Sequence, residues 1–339
     1  MMGKQETTQL LKLVRMAIWS RAEDFAALTD TQWQAVMEEA KRQSVQGLVC
    51  EAVSLLDKAL MPSAGLRITL LAESDAVQKR SAHVERVAEQ LTAAFSGRGL
   101  HPAIQKGTSV ACFYPKPLAR RSGDVDLFFR QDEFDSARKL AEGAGICVTD
   151  APDGSINYIW NDVTVEHHRR YYDCRASFDD VPVPSAEATM LLLSSHILKH
   201  AIGAGIGLKQ FCDIALACRA LDGQYDAASY LTHLRAAGMM RWERMLETFL
   251  EEYMGVERRY LPALSAGMKR LDASKLLAIV LEGGNFGHYN PARHLDAPQQ
   301  RRKRNTFLFF LKRAPFALRV SPREWFHTVG CLVRGNLSH

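Results

Sequence analysis

Apolar residues recur at helical spacing through the first third of the chain. Over residues 5–60 this spacing predicts two helices, and a Thr-Asp-Thr stretch at 29–31 offers an N-cap before the second. Residues 66–96 contain neither glycine nor proline and are rich in good helix formers, so they predict one long helix that ends at Gly97. We therefore expect an N-terminal helical region over residues 1–99.

The pattern changes near residue 100, where short apolar runs alternate with turn-forming residues. The segment HPAIQKG predicts a short strand, and TSVACFY is compatible with one or two helical turns. Further along, GDVDLFFR predicts a strand, QDEFDSARKLAEGAG a helix, and SINYIWND with VTVEHHRRY a pair of strands that can form a hairpin. We expect a compact α/β unit over residues 100–184.

Helical spacing returns at Ser185. The stretch SAEATMLLLSSHILKHAIGAG predicts one helix, LKQFCDIALACRAL a second, and residues 224–255 at least two more. Residues 281–294 are rich in turn formers. We therefore expect a C-terminal helical domain over residues 185–280, followed over 281–339 by a loop and a basic, aromatic tail.

The composition is that of an ordinary globular protein, with 47% hydrophobic and 24% charged residues in a chain of 339. The seven cysteines are odd in number and include no C-x-x-C pair, which argues against a zinc ribbon and against a disulfide framework. The first residues lack the apolar core of a signal peptide, and no segment reaches the ~20 apolar residues of a membrane span. These features favour a reducing cytoplasm.

Positive charge is concentrated at the end of the chain. The net charge is +5, and residues 301–339 contain nine Lys or Arg residues but one acid, Glu324. The segment RRKRNTFLFFLKRAPFALRV interleaves basic and aromatic residues, so residues 301–323 could contact a polyanion such as a nucleic acid or an anionic membrane surface. Alternatively, the charges are simply solvated and the FLFFL run packs on the body of the protein.

Two like charges lie on one face of the strand predicted in GDVDLFFR. Because alternate side chains of a strand share a face, Asp124, Asp126 and Phe128 point one way. Two neighbouring carboxylates repel each other unless a cation neutralises them, and Mg²⁺ with substrate phosphates is a natural partner. The alternative is a strand end whose acids are solvated.

The flanking segments favour the metal-binding alternative. Upstream, Lys106-Gly107-Thr108-Ser109 forms a predicted strand-to-helix turn, where glycine allows close backbone approach and a helix N-terminus offers N–H groups to an anion. Downstream, Glu166 shares a predicted strand face with Thr164 and His168, which supplies a third acid. A phosphate-binding turn beside three carboxylates is a coherent arrangement for phosphoryl transfer.

The same residues carry a resemblance to a known family. The motifs are Lys106-Gly107-Thr108-Ser109, Tyr114-Pro115-x-Pro117, Arg120, Gly123-Asp124-x-Asp126-Leu127 and Glu166-x-His168, with weaker continuations in Ser195-His196-x-x-x-His200, Lys209-x-x-x-Asp213 and Gly284-Asn285-Phe286-Gly287. In this order they resemble the uncharacterised nucleotidyltransferase family of the polymerase-β-like superfamily. The resemblance implies an α+β protein with a small polymerase-β-like α/β core, in which a mixed sheet with flanking helices lies between N-terminal and C-terminal helical regions.

The resemblance also implies an activity. A nucleoside monophosphate would be transferred from an NTP such as ATP to an acceptor hydroxyl of a small molecule, sugar or protein, with Mg²⁺ or Mn²⁺ as cofactor and pyrophosphate as product. Asp124, Asp126 and Glu166 are the implied metal ligands and catalytic residues, and Glu166 could help to deprotonate the acceptor. The implied nucleotide-binding residues are Lys106, Gly107, Thr108, Ser109, Arg120, His200 and Lys209.

Several alternatives stay open at this point. Arg120 could form a surface ion pair instead of binding phosphate, and His168 could be a partner of the acids or an ordinary strand-end histidine. His196 and His200 have the spacing of metal ligands on one helix face, or they pack the helical domain on the core, and Asp213 could orient His200 or Lys209. The alternative functions are a non-catalytic nucleotide-binding or regulatory module, one of toxin-antitoxin type, and a transferase that uses the basic tail to act on nucleic acid.

Overall fold

A five-stranded mixed sheet lies among many helices, which confirms the expected α+β class. The computed structural model describes residues 3–151, 153–290 and 308–337. The helices of the first half are α1 (Lys4–Trp19), α2 (Asp30–Arg42), α3 (Gln46–Val53), α4 (Ala64–Ser96), α5 (Thr108–Ala111) and α6 (Gln131–Gly143). Those of the second half are α7 (Ala186–Ile202), α8 (Leu208–Ala220), α9 (Ala227–Ala237), α10 (Met240–Met254), α11 (Pro262–Ser265), α12 (Ser274–Gly283), α13 (Ala314–Val320) and α14 (Pro322–Leu337).

The sheet has the order β1-β2-β5-β4-β3. Its strands are β1 (Ala103–Ile104), β2 (Asp124–Phe128), β3 (Thr149–Asp150), β4 (Ile156–Trp160) and β5 (Val163–His168). The central pair β2 and β5 is parallel, and the other neighbours are antiparallel. The predicted hairpin of β4 and β5 is confirmed, whereas the short edge strand β3 was not predicted.

The two faces of the sheet have different roles. Val125, Leu127 and Phe129 are buried in a hydrophobic cluster with α4 and α6, which cover that face. The opposite face carries the acids of β2 and β5 at alternate positions. The alternation predicted from the sequence is thus present, and it leaves one face for packing and one for chemistry.

The N-terminal segment contains one helix more than predicted. Thr29 caps α2 as expected, with its hydroxyl accepting a hydrogen bond from the backbone N–H of Gln32 at 3.3 Å. The prediction of two helices over 5–60 missed the break between α2 and α3, where Ser44 has a left-handed φ of 58°. No glycine or proline marks that break, so the apolar spacing alone does not reveal it.

The N-terminal and C-terminal helices share one hydrophobic core. Residues of α1, α2 and α3 belong to the same buried cluster as residues of α7, α8, α10 and α12. A fully buried side chain links the two regions, because the Gln43 side-chain amide donates to the carbonyl of Val280 at 2.9 Å and accepts from the N–H of Leu208 at 3.0 Å. The boundaries at 99/100, 184/185 and 280/281 stay predictions.

The turn-rich segment predicted over 281–294 begins inside α12 and continues in a short 3₁₀ turn, Asn285–Gly287. Gly205 packs directly against this turn, and a Cβ at Gly205 would lie 3.1 Å from the Cα of Gly287. Residues 291–294 lie outside the described residues, as do the basic residues 301–304. In the described part of the tail, Phe309 and Phe310 are buried and Arg313 is paired with Glu282 at 3.0 Å.

Among residues 3–151, 153–290 and 308–337, none of the helices combines the length and the apolar character that crossing a membrane requires.

Candidate functional site

The parallel pairing of β2 and β5 sets Asp126 beside Glu166. In this register Asp126 is opposite Glu166, Asp124 is opposite Thr164 and Phe128 is opposite His168. Each of these residues lies on the face that the hydrophobic cluster leaves uncovered, and Asp126 itself is buried. Two acids that are 40 residues apart in sequence therefore meet side by side because the strands that carry them are neighbours.

Asp126, Glu166 and His168 form the tightest group of possible metal ligands among the described residues. Their ligand atoms all lie within 4.8 Å of one another. His168 Nε2 lies 2.8 Å from Asp126 Oδ1 and 3.5 Å from Glu166 Oε2. His168 is thus a direct partner of the acids, which is one of the two roles that the sequence left open.

Asp124 lies outside that group, although it was expected as the first metal ligand. Asp124 lies two positions before Asp126 on β2 and is opposite Thr164 of β5. Its half-buried side chain lines the adjoining cleft together with Asp126. Positions separated by two along a strand are ~6.6 Å apart, so both carboxylates can face one cleft without touching. The assignment of Asp124 as a ligand stays a prediction.

Lys106 is a cation in direct contact with the central acid. Its Nζ lies 3.1 Å from Asp126 Oδ1, the same oxygen that His168 contacts. Burial opposes the charge on Lys106, but Asp126 and two further aspartates, Asp173 and Asp124, outweigh it and raise its pKa above the usual range. The sequence placed Lys106 near the phosphates and gave no signal for this ion pair.

The two acids of the group have opposite pKa shifts. Burial alone would raise the pKa of Asp126, but Lys106 and His168 next to it hold that pKa well below its usual range. The pKa of Glu166 is raised instead, first by burial and then by the negative charge of Asp126. Asp126 is therefore the permanent anion of the pair, and Glu166 takes up a proton more readily.

The strand-to-helix turn predicted at residues 106–109 is present beside these acids, and its phosphate-binding role stays a prediction. Gly107 precedes α5 and has a φ of 67° with a ψ of −110°, a conformation that residues with a Cβ rarely adopt. The Thr108 hydroxyl is buried and has no hydrogen-bond partner in the described part of the chain. The Ser109 hydroxyl donates a long hydrogen bond of 3.4 Å to the carbonyl of Lys106. Thr108 thus offers an unused polar group at this turn.

Arg120 forms a buried ion pair with a residue of the helical region. Its Nε and Nη2 donate to the two carboxylate oxygens of Asp213 at 2.7 and 2.8 Å. The Tyr114 hydroxyl donates to the same carboxylate at 2.6 Å. An ion pair was the alternative considered for Arg120, but it is buried rather than on the surface, and Asp213 orients Arg120 rather than His200 or Lys209.

A narrow cleft of about 40 Å³ connects these groups. Its lining comprises Lys106, Gly107, Arg120, Asp124, Asp126, Leu193, His196, Ile197, Lys209, Gln210, Asp213 and Phe286. Lys209 donates to the carbonyl of Arg121 at 3.3 Å, and burial, together with the charge of Arg120, lowers the pKa of Lys209 to about 8. The cleft therefore brings Lys209 to the turn and the acids.

His196 lines the cleft, and His200 packs against His196 and Phe286. The two histidine rings are 4.6 Å apart, and the ring of Phe286 lies 4.6 Å from that of His200. His196 Nδ1 lies 2.6 Å from the carboxylate of Asp173, and burial lowers the pKa of His200 well below its usual range. Neither histidine belongs to a three-ligand group within the described residues, so the packing role is the one that the contacts support.

Comparison with known proteins identifies the family. A family model described as "Uncharacterised nucleotidyltransferase" matches residues 29–255, which include every cleft residue except Phe286. No match to the chain was found among curated proteins or among solved structures. With about two thirds of its length matched and the sheet, turn and paired acids in place, the chain belongs to the uncharacterised nucleotidyltransferase family.

Proposed function

We propose that the protein is a metal-dependent nucleotidyltransferase that moves a nucleoside monophosphate from an NTP to an acceptor hydroxyl and releases pyrophosphate. The observation that carries the proposal is the register of β2 and β5, which pairs Asp126 with Glu166 on the open face of the sheet. Family membership supports the general class of reaction. The acceptor itself is to be identified by experiment.

The residues present fit a divalent cation such as Mg²⁺ or Mn²⁺. Carboxylate oxygens are the ligands that these ions prefer, and two carboxylates that lie side by side gain from a shared cation. We propose Asp126, Glu166 and Asp124 as the ligands, with His168 holding Asp126 in place. A bound ion would supply neutralisation of the charge that develops on the reacting phosphoryl group.

We assign the triphosphate to the turn and cleft beside these acids. The turn at Gly107, with the hydroxyls of Thr108 and Ser109, would accept the outer phosphates, and Lys106 and Lys209 would contribute positive charge. Arg120 lines the cleft, where Asp213 fixes its orientation, and its charge would attract the phosphates. His200 would support the cleft indirectly, by packing against Phe286. A cleft of about 40 Å³ cannot enclose a whole NTP, so the nucleoside would extend beyond it.

The transfer itself is a displacement at the α-phosphorus. The acceptor oxygen forms a new bond to the α-phosphorus, the bond from that phosphorus to the α–β bridging oxygen breaks, and pyrophosphate leaves with the electron pair. Glu166 accepts the hydroxyl proton, a role that suits the acid of the pair whose pKa is raised by burial and by the charge of Asp126. Charge and atoms balance without any further reactant.

Pyrophosphate release tests this proposal. Protein incubated with Mn²⁺, an NTP and a cell extract should release pyrophosphate, and Asp126→Asn should abolish the release because the buried anion at the centre of the site is lost. Asp75→Asn, which removes an exposed aspartate of α4, is the matched control and should behave as wild type. Equal release by wild type and Asp126→Asn would overturn the assignment.

One observation favours the alternative of a binding module. Lys106 already forms an ion pair with Asp126 within the protein, and His168 contacts the same oxygen, so this acid has a compensating charge without a metal. A module of this kind would bind an NTP and release no pyrophosphate with any extract. The same experiment, combined with a measurement of NTP binding, distinguishes the two functions.

A further inference from the structure

A cavity of about 380 Å³ lies at the carboxyl ends of β2 and β5. The residues that define it are Phe128, Arg130, Arg169, Arg170, Tyr171 and Tyr172, and the loop around Phe178 closes it. We call it the arginine cavity. Nothing in the proposed metal site or phosphate turn uses these residues.

Three arginines and one acid, Asp179, line the arginine cavity, and the carboxylate of Asp179 accepts a hydrogen bond from the Ser177 hydroxyl at 2.8 Å. Arg130 is exposed, and its guanidinium group makes no hydrogen bond or ion pair within the described residues, although its backbone carbonyl accepts from the N–H groups of Glu133 and Phe134. Arg170 donates to the backbone carbonyls of Cys174 and Arg175, which are neutral partners. Arg169 is the exception, since it pairs with Asp135 at 2.7 Å. Two guanidinium groups without a carboxylate partner are suited to an oxyanion.

The opposite wall of the arginine cavity is aromatic. The ring of Tyr172 lies 5.1 Å from that of Tyr171 and 4.9 Å from that of Phe178, both edge to face. Tyr172 is only 6% exposed, yet its hydroxyl has no hydrogen-bond partner in the described part of the chain. Buried hydroxyls are normally paired, so this one lacks a partner, and its residue lines the arginine cavity.

The arginine cavity leads towards the paired acids. It shares Arg169, Arg170 and Tyr172 with a second cavity of about 350 Å³, and His168 lines that second cavity. His168 in turn contacts Asp126, and it is opposite Phe128 of the arginine cavity in the strand register. His168 therefore connects the second cavity to the paired acids.

We propose that the arginine cavity holds the acceptor, and that this acceptor carries an oxyanion, a phosphate or carboxylate, next to an apolar or planar group. This inference rests on the proposed function, which it narrows to small anionic acceptors. Arg130 and Arg170 bind the oxyanion, the Tyr172 hydroxyl donates to it or to a neighbouring oxygen, and the rings of Tyr171 and Phe178 contact the apolar part. The acceptor hydroxyl points towards His168 and the acids.

Binding of small aromatic probes tests the proposal without knowledge of the acceptor. Phenyl phosphate and benzoate carry the two oxyanions on the same ring, and phenol is their neutral counterpart. By titration calorimetry at low salt, one or both anions should bind at one site per chain at least fivefold more tightly than phenol. The stronger anion indicates which oxyanion the natural acceptor carries.

Three variants locate the binding. Arg130→Ala should weaken the stronger anion at least fivefold, whereas Arg241→Ala, which removes an exposed arginine of α10, should leave it unchanged. Tyr172→Phe should weaken binding two- to fivefold without lowering the melting temperature, because the hydroxyl has no partner to lose. Equal binding of phenol and the anions, equal binding by Arg130→Ala and wild type, or no binding at all would overturn the proposal.

Two further measurements separate the acceptor cavity from the metal site. ATP with Mn²⁺ should not displace the anion, and competition between them would assign the cavity to the nucleotide and overturn its role as the acceptor site. Asp126→Asn should bind the anionic probe as wild type does while losing Mn²⁺. If only the metal-site assignment failed, the proposal that the cavity binds an anion would be retained. If only the cavity assignment failed, the proposed transferase activity would be retained.

Discussion

Lys106 compensates the negative charge of Asp126 in the candidate site. Its ammonium group contacts Asp126 Oδ1, and in our proposal a metal ion would bind the same carboxylate. A buried cation that must be displaced weakens the binding of the ion, while it keeps the pair of acids stable before the ion arrives. In our proposal, a bound metal ion would displace the Lys106 side chain towards the phosphates of the NTP.

Replacement of this lysine should tighten metal binding. We expect Lys106→Met to bind Mn²⁺ ~10-fold more strongly than wild type, as the loss of ~1.4 kcal/mol of competition implies. Electron paramagnetic resonance of free Mn²⁺ measures this affinity directly. Lys139→Met, on the exposed side of α6, is the control and should not change it. Unchanged or weaker Mn²⁺ binding by Lys106→Met would show that the lysine does not compete.

Lys209 gives the cleft a pH dependence. Burial lowers its pKa to about 8, so the side chain is an ammonium below that pH and loses its charge as the pH rises through it. Binding of an NTP that needs the charge should weaken up to ~10-fold from about pH 7 to about pH 9. Isothermal titration with ATP at a series of pH values measures this. Lys209→Arg should remove the dependence, and the same fall in both proteins would contradict the role of Lys209.

At the level of helices and strands, the sheet was the more predictable part. The alternation of apolar and polar residues in β2, β4 and β5 follows the sheet faces directly, so it predicted both the hairpin and the residues that share a face. The break at Ser44 carries no such signal because no glycine or proline marks it, and β3 is only two residues long, which is too short to show an alternation.

The site was predictable to a similar extent, and for the same reason. Asp124, Asp126 and Glu166 stand out because acids at alternate strand positions are unusual, and the turn stands out because of Gly107. The contacts of Lys106 with Asp126, of Arg120 with Asp213 and of Phe286 with His200 are not visible in the sequence. Each joins segments that the fold brings together from far apart in the chain.

The pair of Arg120 and Asp213 joins α8 to the segment that precedes β2. Since both side chains are buried, removal of either one leaves an unpaired charge inside the protein. We expect Arg120→Met and Asp213→Leu each to lower the free energy of unfolding by ~3–5 kcal/mol, and the double variant to lose less than their sum. Urea denaturation measures all three.

The control for this pair is an exposed arginine. Arg138→Met removes an arginine of α6 that pairs with Asp150 at the surface, and it should leave the unfolding curve nearly unchanged. If Arg120→Met unfolds like this control, the buried pair does not hold α8 against the core.

Across the whole molecule, the N-terminal helices α1 to α3 and the C-terminal helices form one packed support. α1 to α3 belong to the same hydrophobic cluster as α7, α8, α10 and α12, so the N-terminal and C-terminal helical regions stabilise each other. The cleft lies where this support meets the open face of the sheet, with Phe286 from the C-terminal side and Gly107 from the sheet side. A change in either helical region can therefore reach the site.

A substitution at Gln43 tests whether the N-terminal and C-terminal helical regions stabilise each other. The Gln43 amide connects α2 to the start of α8 and to α12, and Gln43→Ala would leave the N–H of Leu208 and the carbonyl of Val280 without that partner. We expect a loss of ~1–3 kcal/mol for each unsatisfied group, seen in calorimetry as a lower melting temperature of a single transition. Gln224→Ala, at an exposed position, should melt as wild type does. Two separate transitions would contradict a shared core.

The fate of the two ends of the NTP decides whether the protein is a nucleotidyltransferase. Wild-type protein with Mn²⁺ and a cell extract is given ATP or another NTP labelled at the α-phosphorus or, separately, at the γ-phosphorus, and the products are separated. We predict that the α label enters an acceptor and the γ label leaves as pyrophosphate, with both events lost in Asp126→Asn. Transfer of the γ label to the acceptor, or α-label transfer that persists in Asp126→Asn, would contradict the reaction or the site proposed for it.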